Sequence, residues 1–74
     1  MWLPNIFDSK KTKFLKSLKS GHTCKLLLGN TLYDVCIGYN NTVNKQISLM
    51  FNDERFTFDY DRIKYADEKL FVVE

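Results

Sequence analysis

The sequence is poor in the residues that punctuate or cross-link a chain, with three Gly, one Pro, two Cys and one His among 74 residues. So little Gly and Pro excludes collagen-like and low-complexity disordered chains, and the 45% hydrophobic content indicates a folded globular domain. A chain of this length buries only about 60% of its unfolded surface. We therefore expect one compact domain over residues 1–74.

Long apolar runs are also missing. The longest uninterrupted aliphatic run is Leu26 to Leu28, and the segment from Met1 to Phe7 has neither the basic region nor the apolar length of a signal peptide. We expect no secretion, no membrane contact and a cytoplasmic location. Two cysteines in an intracellular chain are expected to be free thiols.

The residues that build metal and catalytic sites are scarce as well. His22, Cys24 and Cys36 are the soft metal ligands, one fewer than a four-ligand zinc site needs, and no nucleophile motif surrounds His22. Asp59 and Asp61 share one predicted strand face, which we interpret as a solvated acidic surface, because a small barrel filled with Phe leaves little room for a concave pocket. The sequence predicts no metal, cofactor or small-molecule substrate, and no enzymatic activity.

What the chain does contain is one amphipathic segment near its start. Asp8 or Ser9 can cap a helix that ends near Ser20-Gly21, which predicts a helix over about residues 8–20. At 100° per residue the apolar side chains gather on one face and the lysines on the other. The apolar face consists of Phe7, Phe14, Leu15 and Leu18, and the cationic face of Lys10, Lys13, Lys16 and Lys19.

From His22 onward the hydrophobic period changes to two, which is typical of strands. Gly29-Asn30 suits a two-residue hairpin loop. In that register Lys25 faces Asp34 and Cys24 faces Val35, whereas a shift by one residue would set Leu26 against Asp34. Cys24 is then predicted to face the interior and Cys36 the opposite side.

The remaining pattern predicts a strongly bent antiparallel sheet. Gly38 interrupts the second strand where a bulge is expected, and Phe56 and Phe58 are predicted to face Ile47 and Leu49 in the core. An open meander would expose two edges, so we expect closure into a small barrel. The predicted fold is α+β, mainly β, with strands over about residues 22–28, 31–39, 45–51, 55–60 and 70–73.

This order of elements resembles the Sm-like small barrel, including the bacterial Sm-like RNA chaperones, and is similar to other SH3-like barrels. The resemblance is architectural and covers residues 14–74. It rests on Phe14-Leu15 with Leu18, Leu26-Leu27-Leu28-Gly29-Asn30, Gln46 to Phe51, and Tyr60 to Ile63 leading to Val72-Val73. Where those chaperones have a Lys-His pair beside a Tyr for uridine binding, this chain has Tyr60-Asp61-Arg62.

Charge is unevenly distributed along the chain. The net charge of +2 divides into +5 over residues 1–25 and −3 over residues 26–74. Lysines at helical spacing suit the phosphates of a nucleic acid, although the same pattern serves solubility alone. Of the tyrosines that could stack on bases, Tyr33 and Tyr39 share parity with core positions, and Tyr65 is the third.

A second candidate surface is apolar. Leu27 and Leu32 are predicted on the less buried side of the hairpin, Met50 on the same side of the third strand, and Trp2 before the helix, either as a contact residue or folded back into the core. The leading interpretation is a protein-binding module that acts as an inhibitor, an adaptor or a homo-oligomer, with Trp2, Leu27 and Leu32 as anchors. The alternative is an RNA-binding or single-stranded nucleic-acid-binding protein that uses Lys10, Lys13, Lys16 and Lys19.

Overall fold

The computed structural model describes residues 9–73. Three residues with predicted roles lie outside the described residues. They are Trp2, predicted as a binding anchor, Phe7, predicted on the apolar helix face, and Asp8, a predicted helix cap. In chain order the elements are α1 (Lys10–Ser17), β1 (Thr23–Leu28), β2 (Thr31–Asn41), β3 (Gln46–Phe51), β4 (Glu54–Asp59), a 3-10 turn (Tyr60–Arg62), β5 (Ile63–Ala66) and β6 (Leu70–Val73).

Helix α1 begins at its predicted cap and ends earlier than predicted. The Ser9 hydroxyl accepts a hydrogen bond from the Thr12 backbone N–H at 3.1 Å, which satisfies one of the unpaired donors of the first turn. The last helical residue is Ser17 and Leu18 is already extended, so the predicted end at Ser20 is wrong. Gly21 has the expected positive φ of 92°, but in the turn into β1 rather than at the helix end.

The first hairpin has the predicted register. Lys25 lies opposite Asp34, Cys24 opposite Val35 and Leu28 opposite Thr31, around the two-residue loop Gly29-Asn30. Gly29 has a φ of 63°, a conformation that glycine adopts without steric cost. Charge pairing and turn chemistry therefore fixed this register locally.

Gly38 produces the predicted bulge in β2, and the bulge reverses the facing of the residues that follow. The pairing of β2 with β3 shifts between Ile37 and Tyr39. Beyond the shift Asn40 lies opposite buried Ile47, whereas the Tyr39 side chain is 58% exposed. The sequence pattern placed Tyr39 on the core face because it shares parity with Val35 and Ile37. That placement is wrong, because the alternation does not continue through the bulge.

Strands β3 and β4 form a second tight hairpin. Asn52 and Asp53 both have positive φ, 55° and 61°, as a type I′ loop requires. Phe58 lies opposite Ile47, and Phe56 opposite Leu49, as predicted. Phe58 is buried, and Phe56 is half-buried against the same cluster.

The far end of the chain differs from the prediction. Residues 63–66 form a strand that the sequence pattern did not reveal, and β6 pairs in parallel with β1 rather than antiparallel. Within residues 9–73 six strands form one mixed sheet in the order β4-β3-β2-β1-β6-β5. The prediction of five antiparallel strands is therefore corrected to six strands in a mixed sheet.

The sheet curls because its two edge strands are consecutive in the chain. In a flat sheet β4 and β5 would lie about 24 Å apart, five strand spacings, yet four residues reach at most about 14 Å. The 3-10 turn between Asp59 and Ile63 therefore requires strong curvature. Since β4 and β5 do not pair with each other, the result is an open half-barrel rather than the predicted closed barrel.

The core lies on the concave face of the half-barrel, where α1 packs. Leu15 of α1 is completely buried, and Phe14 and Leu18 pack at the margin of the cluster. The predicted apolar face of the helix is thus confirmed for Phe14 and Leu15, whereas Leu18 packs against the core from beyond the end of the helix. Among residues 9–73 the buried hydrophobic residues are Leu15, Leu26, Val35, Ile37, Ile47, Leu49, Phe51, Phe58, Tyr60, Ile63, Phe71 and Val73.

Candidate protein-binding surface

An apolar row crosses the convex face of the sheet, the side opposite the core. Tyr65 of β5 lies opposite Val72 of β6, Val72 beside Leu27 of β1, and Leu27 opposite Leu32 of β2. These four residues are called the convex row below. Because neighbouring strands bring them into register, four side chains from distant parts of the sequence form one continuous strip.

The convex row is exposed mainly at its two ends. Leu32 is 56% exposed and Tyr65 52%, whereas Leu27 and Val72 are half-buried. The sequence placed Leu27 and Leu32 on this face, and the hairpin register agrees. The sequence did not place Val72 and Tyr65 on this face. The alternation in β6, where Val72 lies between the buried residues Phe71 and Val73, would have indicated the position of Val72.

An ion pair borders the convex row. The Lys25 ammonium contacts the Asp34 carboxylate, and both side chains are largely exposed. Lys25 also lies beside half-buried Leu70 of β6. The pair leaves this border of the row electrically neutral.

A smaller apolar pair lies farther along the same face. Cys36 lies opposite Met50, and Met50 is 44% exposed, as its predicted position on the less buried side implies. A Cβ on Gly38 would come within 2.9 Å of the Met50 sulfur, so the absence of a side chain at Gly38 makes room for Met50. Met50 therefore lies over the bulge, separated from the convex row by the Lys25–Asp34 pair.

The predicted lysine face is only partly formed. Lys10 and Lys13 are exposed on α1 and Lys16 is half-buried there. Lys19 lies beyond the end of the helix, so its place on a helical ladder is wrong. Of the four lysines predicted to share one helical face, three therefore lie on the shorter helix and the fourth lies in the segment that follows it.

The two thiols lie on opposite faces, as predicted. Cys24 packs against the core cluster, and burial, assisted by the nearby charge of Asp67, raises its pKa to about 11. Cys36 lies on the convex face, and both cysteines are free. Among residues 9–73 no group of three or more His, Cys, Asp or Glu side chains could hold a metal ion.

The acidic pair predicted on one strand face is divided between two elements. Asp59 ends β4, where its carboxylate accepts a hydrogen bond from the Gln46 amide at 2.9 Å. Asp61 lies in the 3-10 turn. The shared strand face is therefore a wrong prediction, because the strand ends before Asp61.

Asn40 is a polar residue whose role the sequence did not reveal. Its amide donates to the carbonyl oxygens of Leu15 at 2.6 Å and Leu18 at 3.0 Å, while its own oxygen accepts a hydrogen bond from the Tyr60 hydroxyl. Burial raises the pKa of Tyr60 above its ordinary value. This network joins α1, β2 and the 3-10 turn, and it explains why the helix ends where it does.

No helix within residues 9–73 combines the length and the apolar character needed to cross a membrane.

The half-barrel is compatible with a small-barrel fold. Comparison of the chain with protein families, with characterised proteins and with solved structures finds no match.

Proposed function

We propose that this chain is a small, non-catalytic protein-binding module that acts as an inhibitor or adaptor of a larger protein, with the convex row as its contact surface. The observation that carries the proposal is the continuity of that row across four strands, on the face that α1 does not cover. Exposed apolar strips bordered by polar groups are typical of protein interaction sites.

The small size of the row favours a larger partner over a second copy of the chain. A stable interface takes roughly 800 Å² from each partner. Four side chains, two of them half-buried, expose far less than that. The rest of the contact must come from a partner large enough to reach around the row, with Lys25 and Asp34 as a polar rim and Trp2 as a further anchor.

The same proposal extends to the fold class and the compartment. We place the half-barrel among the Sm-like and SH3-like small barrels, supported by the order of a helix followed by bent strands, the Gly38 bulge and the 3-10 turn that connects β4 to β5. The two free cysteines fit a cytoplasmic module, since intracellular compartments keep thiols reduced.

The test is affinity capture from the native host with the parent protein and two matched variants. Leu32→Asp places a charge at the end of the convex row, whereas Val43→Asp places the same charge on a residue that is 87% exposed in the β2–β3 loop. We expect Leu32→Asp to lose the partner and Val43→Asp to retain it. Both should melt close to the parent, because neither site is in the core.

Two further measurements make the result decisive. Replacing Lys10, Lys13 and Lys16 by Gln should weaken capture only modestly and chiefly at low salt, since rim charges mainly tune the association rate. Sedimentation analysis of the purified chain should show a monomer. A partner that survives Leu32→Asp, or a stable homodimer that Leu32→Asp dissociates, contradicts the proposal of a larger partner on this row.

A further inference from the structure

A basic depression lies where helix α1 packs against β5, on a different part of the surface from the centre of the convex row. It has a volume of about 350 Å³, at the lower end of the range of ligand sites. Its lining combines three lysines with two aromatic rings. These are Lys10, Lys11 and Phe14 of α1, Lys64, Tyr65 and Ala66 of β5, and Asp67.

The depression assembles cations from both ends of the chain. Lys10 is exposed and Lys11 half-buried on the first turn of α1, and Lys64 comes from β5, more than fifty residues later. The two lysines of α1 already outnumber the one carboxylate of the lining, that of Asp67, so the lining is net basic. Clustered ammonium groups of this kind suit the oxygens of a phosphate.

The Tyr65 ring is held in a fixed orientation at the rim. Its hydroxyl donates to the Asp67 carboxylate at 2.7 Å, and the other oxygen of that carboxylate accepts hydrogen bonds from the Lys69 and Leu70 backbone N–H groups, both at 2.8 Å. These contacts hold the pKa of Asp67 below its ordinary value. Both carboxylate oxygens are therefore engaged within the β5–β6 turn, and the exposed ring is preorganised.

We propose that this depression binds a nucleotide unit, with the base against Tyr65 and Phe14 and the phosphate against Lys10 and Lys11. A ligand that alternates a flat ring with a phosphate matches a site that alternates aromatic rings with ammonium groups. The unit can be a free nucleoside monophosphate or part of a single strand, but not part of a duplex, where the base faces are already stacked. The inference rests on the lining of the depression and not on the protein-binding proposal, although Tyr65 belongs to both surfaces.

The test measures binding of a fluorescent nucleoside monophosphate and of oligo-thymidine with the same label, at low salt and across a salt titration. At least one probe should bind, with inorganic phosphate as a weak competitor. Competition of the monophosphate with the strand assigns both to one site, and binding of one probe alone identifies the source. Failure of both probes at low salt overturns the proposal.

Matched variants distinguish binding at the depression from nonspecific electrostatic binding to a lysine-rich segment. Lys10→Gln with Lys11→Gln should make the slope of log affinity against log salt for oligo-thymidine shallower by about 1.4. Lys13→Gln with Lys19→Gln removes the same charge from exposed residues outside the depression and should change the slope far less. Equal losses from the two pairs contradict the site.

The stacking role of Tyr65 is tested with separate control variants. Tyr65→Ala should weaken binding about 5- to 150-fold through lost stacking, and Tyr65→Phe should retain most of the affinity because the ring remains. Tyr39→Ala, on an equally exposed tyrosine away from the depression, should have no effect. An unchanged affinity in Tyr65→Ala overturns the base-stacking role, and Leu32→Asp should leave nucleotide binding intact whether or not it affects a protein partner.

Discussion

The concave and convex faces of the half-barrel consist of alternating residues of the same strands, yet they differ in what covers them. In β1, Leu26 faces the core and is completely buried, whereas its neighbour Leu27 lies in the convex row. The concave face is closed by α1 and the Asn40 network, while the convex face carries an incomplete apolar strip with a polar border. Substitutions on the first face should therefore change stability, and those on the second should change binding.

The largest effect on stability is expected for Phe58→Ala on the concave face. Phe58 is 7% exposed and lies opposite Ile47, so truncation leaves a cavity in the core. We expect a loss of about 3–5 kcal/mol in the free energy of unfolding, a large part of the margin of a small domain. Urea denaturation measures it, with Tyr39→Ala on the convex face as the control, which should stay within about 0.5 kcal/mol. A Phe58→Ala protein that unfolds like the parent would show that β4 does not face the core.

The next expected effect comes from the polar part of the concave face. Asn40→Ala leaves the Tyr60 hydroxyl and the carbonyls of Leu15 and Leu18 without their partner, which should cost about 1–3 kcal/mol. Thermal and urea unfolding provide the measurement. Asn41→Ala is the control, because it removes a single exposed hydrogen bond to the Asn44 N–H and should cost less. Equal costs at the two positions would mean that Asn40 does not stabilise the helix end.

The two cysteines sharpen the comparison because one lies on each face. With a pKa of about 11, Cys24 should carry roughly a hundredfold less thiolate near pH 8 than a thiol at the ordinary 9.0. Iodoacetamide should therefore modify Cys36 first, as mass spectrometry of the Cys24→Ser and Cys36→Ser variants can show. Faster modification of Cys24 than of Cys36 would place Cys24 outside the core.

The same thiol makes stability depend on alkaline pH. The folded pKa of Cys24 is raised above the unfolded value, so its contribution to stability is fully present below about pH 9 and is lost as the pH rises towards about 11. The difference in unfolding free energy between the parent and Cys24→Ser should change in this window. The corresponding difference for Cys36→Ser serves as the comparison, and equal pH dependence in both would remove the link to burial.

The smallest expected effect lies at the border of the convex row. Lys25 and Asp34 form an ion pair between largely exposed side chains, so a double-mutant cycle with Lys25→Gln and Asp34→Asn should give a coupling of about 0.2–1 kcal/mol. The coupling should decrease with added salt. A coupling well above this range, insensitive to salt, would show that the convex face contributes to stability as the concave face does.

Much of the sheet followed from local sequence signals. Opposite charges at Lys25 and Asp34 and the Gly29-Asn30 loop fixed the first register, and Gly38 marked the bulge. The alternation around Phe58 placed β4 against β3. Each of these pairings joins segments adjacent in the chain, where turn chemistry and period-two alternation leave few alternatives.

Local sequence signals predicted only part of each candidate site. Leu27 and Leu32 belong to one hairpin and could be placed together, whereas Val72 and Tyr65 join them only through the pairing of β6 with β1. The basic depression likewise needs α1 beside β5, a strand too short and too mixed in character to be recognised from its four residues.

What the sequence by itself determined is therefore the set of hairpins and the faces of their strands. Tertiary structure alone decided the parallel pairing of β1 with β6, the open half-barrel, the exposure of Tyr39 beyond the bulge and the end of α1 near Asn40. The physical reason is the distance along the chain. Contacts between remote segments depend on how the whole sheet curls and which groups it leaves to be hydrogen-bonded, and no local period of hydrophobicity encodes that.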